Sequence, residues 1–240
     1  MRKTLLFLAL TVFPGLELFA VPFSMSTGAG GLIGGYFTRY KSSSTTGSGR
    51  MSMDVNQLNY GGFVFFDATY AEFAVILQGG LNKYNEVVSD GSAFVARAGD
   101  GWETMLGLSL LGKYPFTMTN RTKIFPILGA DYQISLVQKR RPDGDIVYDR
   151  TNGIQEEDKD GNAFDITTWN SIWIHLGAGA DYLLAGRIFL RGEFLYSFRL
   201  MTAYERDGLA QAKVLLDDND PKLRGLTSGP SLRLSAGYRL

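Results

Sequence analysis

The chain contains no cysteine, one histidine and 7 prolines in 240 residues. Without cysteine there are no disulfides and no lipid-modified N-terminus of the bacterial lipoprotein kind, so stability must come from packing or strand pairing. With His175 as the single histidine, Ser/His/Asp hydrolysis or histidine-metal chemistry would have to run through that residue. An excess of either charge is also missing, since 24 Lys and Arg face 24 Asp and Glu. No basic field points to nucleic acid, which is set aside as a partner. Beyond residue 20 no window of about 18 residues stays apolar and uncharged, so no transmembrane helix is expected there. That part of the chain can cross a membrane only as a closed barrel. Nor is there a sustained three-to-four-residue apolar spacing, which leaves strands as the main element.

What is present begins with a leader. Met1 to Ala20 carries Arg2 and Lys3, an apolar run from Leu5 to Val12, a break at Pro14 and Gly15, and a small residue at Ala20. That pattern predicts a secretory signal peptide over 1–20, cleaved near Ala20, and an exported domain over 21–240. The alternative, a single anchoring helix, is weakened by an apolar run far short of the ~20 residues a bilayer needs.

The last ten residues, SLRLSAGYRL, alternate strictly. Leu232, Leu234, Ala236, Tyr238 and Leu240 share one face, and Ser231, Arg233, Ser235, Gly237 and Arg239 the other. A half-buried strand of a soluble sandwich would read the same way, so this segment alone does not choose the architecture. Similar patterns cover Asn56 to Ala68, Tyr70 to Asn82, Thr104 to Phe116, Lys123 to Val137, Asn170 to Leu184 and Arg187 to Leu200. Leu111, Phe189 and Leu195 fall out of step on the polar side. Ser26 to Tyr40 is an eighth candidate, too rich in glycine for its facing to be assigned.

The connections alternate in length. Short ones fall near Asp67 to Tyr70, Pro115 to Arg121, and Ala185 and Gly186. Long polar ones fall near Lys41 to Val55, Lys83 to Gly101, Lys139 to Thr168 and Thr202 to Gly229. An even strand number with alternating short and long connections predicts an all-β fold: one eight-stranded antiparallel up-and-down transmembrane barrel with short periplasmic turns and four long extracellular loops. A sandwich has no reason to segregate loop length this way. Tyr114, Phe116, Tyr182 and Tyr238 sit toward the short-turn end, and Tyr40, Tyr60, Tyr84, Trp102 and Trp169 toward the long-loop end, as two interfacial belts would. Aromatic residues favour strands in any case.

The leader, the eight alternating segments, GADY at Gly129 to Tyr132 and again at Gly179 to Tyr182, and the closing LRLSAGYRL together resemble the small eight-stranded outer-membrane β-barrels, the group of the OmpA transmembrane domain, OmpX and OmpW. The resemblance covers essentially all of the chain after the leader and rests on alternation. It implies a bacterial outer-membrane location, contact with outer-membrane lipid, and recognition of the last strand by the barrel assembly machinery. In that terminal signal Arg233, Tyr238 and Leu240 fit the family's polar and apolar positions. Ser235 stands where the family has glycine, and Leu240 where it has an aromatic end residue.

The expected inward face collects Asp67, Glu72, Lys113, Asp131, Asp181, Arg191, Glu193, Arg199, Arg233 and Arg239. An eight-stranded lumen is just filled by side chains, so these groups must pair or hold water. A salt-bridge network filling the barrel is the expected arrangement, with a charged gate or narrow ion path as the alternative. Arg233 and Arg239 are candidates to pair with acids such as Glu193. A wide pore is excluded, because such pores need ~16 strands. His175 is expected inward beneath Trp173 as part of the polar network, with Ser171 and Asp181 nearby in register but not at contact spacing. The segment Asp158-Lys159-Asp160-Gly161-Asn162 is similar to the opening of a calcium loop, but its glycine comes fourth instead of sixth and Trp169 stands where the bidentate Glu belongs. That loop, with Glu156, Glu157 and Asp165, and the later run Asp217, Asp218 and Asp220, read as solvated acidic loops, with weak calcium binding as the alternative.

No cofactor, metal or catalytic residue is expected. Three functions stay open: a monomeric scaffold presenting its long loops to host or surface ligands, a narrow channel for small or apolar solutes as in OmpW-like proteins, and an enzyme acting on outer-membrane lipid. The first is favoured, because binding function usually sits on loops carried by a rigid frame.

Overall fold

The computed structural model describes residues 23–43, 50–89, 94–140, 146–149, 154–155, 170–202 and 222–240. The leader, the calcium-like segment, Trp169 and the acidic run near 217 lie outside them. Eleven strands occur in chain order: β1 (Ser26–Ser43), β2 (Arg50–Asp67), β3 (Ala71–Ser89), β4 (Phe94–Lys113), β5 (Phe116–Thr117), β6 (Thr122–Arg140), β7 (Ile146–Asp149), β8 (Ile154–Gln155), β9 (Ser171–Ala185), β10 (Ile188–Thr202) and β11 (Lys222–Arg239). No helix occurs among the described residues.

Eight long strands form a ring. The hydrogen-bonded order β4-β3-β2-β1-β11-β10-β9-β6 closes through a β4–β6 pairing, and every pairing is antiparallel. Closure satisfies the backbone groups that an open edge would leave unpaired. The first and last strands meet in this ring, with Ser26 opposite Arg239 and Ser43 opposite Lys222. β5 pairs only with β6, and β7 and β8 extend the sheet beyond β6 inside the long connection after Arg140.

Pairing carries four strands further than alternation in the sequence indicates. β1 and β2 run in register from Ser26↔Asp67 to Ser43↔Arg50, and β3 and β4 from Ala71↔Gly112 to Ser89↔Phe94. Much of the polar sequence read as loops at Lys41 to Val55 and Lys83 to Gly101 is therefore ladder. Cross-strand hydrogen bonding tolerates polar side chains where no apolar face has to be buried. A bilayer needs only ~9–11 residues per strand. The β1–β4 sheet, with strands of 18, 18, 19 and 20 residues, continues well past that length.

The tight turns at the other end have local causes. Gly186, at φ 56°, takes the left-handed conformation between β9 and β10 that a side chain would disfavour. Thr69, at φ 61°, is the one non-glycine residue with positive φ among those described. Its Oγ1 accepts from the Ser24 amide at 2.7 Å and donates to the Ser24 carbonyl at 2.8 Å, which ties the segment before β1 to the β2–β3 turn.

Candidate functional site in the barrel interior

The strand period of two sorts side chains with the inverse of a soluble protein's pattern. Leu128, Leu110, Leu234 and Leu176 are about 60 % exposed on the outside (63, 60, 59 and 59 %), while Glu72 and Glu193 are 1 % and Arg191 3 % exposed inside. The first strand, whose facing the sequence left open, turns Leu32 and Tyr36 inward and Ile33 and Phe37 outward.

The interior is layered. At the short-turn end Asp67 of β2, Glu72 of β3, Lys113 of β4, Asp181 of β9 and Arg191 of β10 converge. Arg191 is the hub. Its Nε and Nη2 donate to the two Asp181 oxygens at 2.6 and 2.9 Å, Nη2 also reaches Asp67 Oδ2 at 2.6 Å, and Nη1 donates to Glu72 Oε2. Lys113 Nζ bridges the same carboxylates, bonding Asp67 and lying 3.2 Å from Glu72 Oε2. Three buried acids thus face two cations. The Arg191 guanidinium also lies over the rings of Phe65, Phe125 and Phe189 at 5.0, 5.3 and 5.1 Å. This aromatic cage favours the cation by its ring faces and strengthens the ion pairs by excluding water.

Apolar layers surround and overlie this plug. Leu32, Phe63, Phe65, Ala74, Ile76 and Phe189 form one cluster, and Leu111, Phe125, Ile127 and Leu195 another. Leu111, Phe189 and Leu195, the residues out of step in the sequence, are therefore lumen packing. Phe63, Phe65, Phe125 and Ile127 were not recognised as inward from the sequence. Apolar residues occupy both faces of those stretches, and alternation of hydrophobicity vanishes where both faces are apolar.

A second charged layer follows. Asp131 Oδ2 lies 2.9 Å from His175 Nε2 and 3.1 Å from Arg233 Nη2, and His175 Nδ1 shares a 2.7 Å hydrogen bond with Ser197 Oγ. The partners differ from those near His175 in the sequence: Ser171 instead accepts from Trp173 Nε1 at 2.9 Å, and Asp181 belongs to the Arg191 plug. Across the sheet, residues far apart in sequence become neighbours, so proximity along one strand did not identify them. Tyr36 packs on Trp173 at 4.7 Å, with Arg199 above the same indole at 5.8 Å. Higher still, Gln57 bonds Glu103, and Thr38 bonds Thr227 at 2.8 Å.

The expected pairing of Arg233 or Arg239 with Glu193 does not occur. Arg233 stands opposite Glu193 in register but turns its guanidinium to Asp131, and Arg239 lies half-buried over Phe189 at 6.0 Å. Both Glu193 oxygens, and both polar atoms of the Asn59 side chain, are buried without a hydrogen-bond partner.

The belt residues are placed unevenly. Tyr114, Tyr182 and Tyr238 face outward at the short-turn end (40, 46 and 46 % exposed). Phe116 is half-buried on the separate strand β5, stacked on Tyr114 at 5.1 Å. Trp102 is half-buried on β4. Tyr60 is exposed on β2 but does not join the long-loop belt: it stands in register with Ile33 and, through it, Leu232, because β2 runs on to Arg50 beyond the strand the sequence indicates. For Tyr40 and Tyr84 only the strand position is described, on β1 and β3.

A closed antiparallel ring with an apolar outside and a charged, filled inside defines a class of protein: the membrane-spanning β-barrel, here with eight strands. No protein-family model matches the chain, and no curated protein matches it. Among solved structures it is similar to Neisserial surface protein A (16 % identity, TM-score 0.34, 88 % of this chain and 96 % of that one). It is also similar to the outer membrane protein OprG from Pseudomonas aeruginosa (13 %, 0.40, 89 % and 96 %). A third similarity is to the translocator domain of the autotransporter NalP from Neisseria meningitidis (12 %, 0.32, 99 % and 94 %).

Proposed function

We propose that the chain is an integral outer-membrane barrel that acts as a non-conducting scaffold, exported by its leader and presenting the connections beyond Ser43, Ser89, Arg140 and Thr202 at the cell surface. The observation that carries this reading is the plug, in which Arg191 and Lys113 hold Asp67, Glu72 and Asp181 together across the lumen with almost no exposure. A path through it would have to separate desolvated ion pairs that hold each other in place. The long β1–β4 sheet supports the scaffold role, because it carries two of the connections on stiff ladder. The closing strand β11 is the part the assembly machinery would read, and a monomer is the assembly this reading requires.

Planar-bilayer recordings of the refolded protein test it: no discrete openings are expected at moderate voltage. Reproducible unitary steps would favour the narrow channel, a second reading supported by the unpartnered polar atoms of Glu193 and Asn59 inside the barrel.

The reading also carries no catalysis. The burial of Ser197, His175 and Asp131, which are 0, 2 and 3 % exposed, supports this, because a lipid ester would have to enter the filled lumen to meet the Ser197 hydroxyl. His175→Ala is expected to leave the acyl composition of outer-membrane lipid unchanged in cells expressing the protein. A mass-spectrometric shift in acyl chains that depends on His175 would restore the enzyme.

A further inference from the structure

The outer wall is not evenly apolar. Outward positions on neighbouring strands are mostly Leu, Ile, Phe and Tyr, but where β11, β1 and β2 meet, the register row is Leu234, Gly31, Gly62. The row above it is Leu232, Ile33, Tyr60, and the row below is Ala236, Ala29, Val64. The missing side chains leave an apolar groove of about 380 Å³ lined by Ile33, Tyr60, Leu232 and Leu234 with the backbone of Gly31 and Gly61 as floor. Packing within the chain does not require these glycines. A Cβ on Gly31 would come no closer than 3.6 Å to the Gly61 carbonyl, and one on Gly62 no closer than 3.6 Å to that of Gly30.

The same seam becomes basic higher up. Arg39 and Lys41 are exposed on β1, six and eight residues beyond Ile33, and Lys41 and Ser43 have Arg224 and Lys222 as their register partners on β11. Asp54 answers only Arg39, at 2.7 Å, and the Arg39 side chain remains 67 % exposed in that pair. At ~3.3 Å per residue and a ~40° tilt, Arg39 stands roughly 15 Å above Ile33 along the barrel axis. Tyr238, in the lower aromatic belt, lies a comparable distance below the Leu232 row. The groove therefore falls near mid-height of the apolar band, and the basic block falls at its outer rim.

We propose that this seam is a binding site for one lipid with an anionic phosphate headgroup, its acyl chain in the groove over Gly31 and Gly61 and its phosphate at Arg39 and Lys41. The site rests on the membrane reading above and specifies where that membrane holds the protein. Phosphate is the suited headgroup because its acceptor oxygens can take the Arg39 fork and the Lys41 ammonium together. A zwitterionic lipid of equal chain length would bring its own cation to the same basic rim.

The experiment refolds the full chain into bicelles containing equal amounts of dimyristoyl phosphatidylglycerol and dimyristoyl phosphatidylcholine, then measures retained lipid by native mass spectrometry. One phosphatidylglycerol is expected to remain on the folded barrel. Arg39→Glu/Lys41→Glu and, separately, Gly31→Leu, which fills the groove, are each expected to remove it while the protein still folds into the bicelles. Equal retention of both lipids, or retention unaffected by both variants, overturns the site. A dimer dispersed by Gly31→Leu overturns it too, by giving the groove to a second copy. A chain that never enters the bicelles refutes the membrane reading itself, a result distinct from all of these.

Discussion

Replacing Arg191 by Ala is expected to destabilise the barrel by about 3–5 kcal/mol, the cost of leaving buried carboxylates without their counter-charge. Four hydrogen bonds to three acids run through this one guanidinium, and Lys113 alone cannot neutralise Asp67, Glu72 and Asp181 together. Arg191→Lys should recover only part of the loss, because an ammonium is a point charge and cannot present the planar fork that engages both Asp181 oxygens. Combining Arg191→Met and Lys113→Met with Asp67→Asn, Glu72→Gln and Asp181→Asn should recover more, since all the plug charges that needed compensation, the Lys113 ammonium included, are then gone. Urea unfolding of protein refolded into phospholipid vesicles, followed by tryptophan fluorescence, measures all three. A change below about 1 kcal/mol for Arg191→Ala, in the range of exposed surface pairs, would show that the plug is solvated and does not close the lumen.

The second large effect lies on the opposite face of one strand. Leu234→Arg, and likewise Leu190→Arg, places a charge on the outer wall and is expected to cost ~2–4 kcal/mol if the site is near the bilayer midplane. At the adjacent position Ser235→Ala should be close to neutral, because the Ser235 hydroxyl is buried in the interior without a hydrogen-bond partner and its removal leaves nothing unpaired. Refolding yields and unfolding in vesicles should therefore separate two neighbouring residues by face alone. Equal tolerance at both, or a wild-type protein that purifies as a soluble monomer without detergent, would sink the membrane-spanning reading.

Much of the fold was legible because a strand's side chains alternate with period two, so Leu232, Leu234 and Tyr238 had to share a face away from Arg233 and Ser235 wherever β11 was placed. The short turns were legible for the same local reason: alternation stops near Ala68, Phe116 and Leu184, within a few residues of where the strands end at Asp67, Lys113 and Ala185. Where alternation failed, facing went unread. Glycines carry no sign of it in β1, and β2 and β6 are apolar on both faces around Phe63–Phe66 and Phe125–Ile127. The full length of β1–β4 was also hidden, because the largely polar stretches Lys41 to Ser43 and Arg50 to Val55 have no continuous apolar face to advertise, and only their pairing makes them strand.

The candidate site divides along the same line. Alternation in the sequence pointed to the facing of most of the charges found inside, such as Glu72, Asp131 and Arg191, since facing is a property of one strand and its two environments, but it missed Glu103, which lies beyond the segment read as strand. It could not determine their partners. Arg191 meets Glu72 and Asp67 across 119 and 124 residues of chain, and Arg233 meets Asp131 across 102. Those contacts depend on the stagger with which β4 and β6, and β1 and β11, close the ring, and stagger is a collective property of all eight pairings. Only the tertiary structure decided that Glu193 is left unpaired beside an arginine on the next strand, that His175 bridges Ser197 and Asp131, and that outward glycines on two strands line up into one groove.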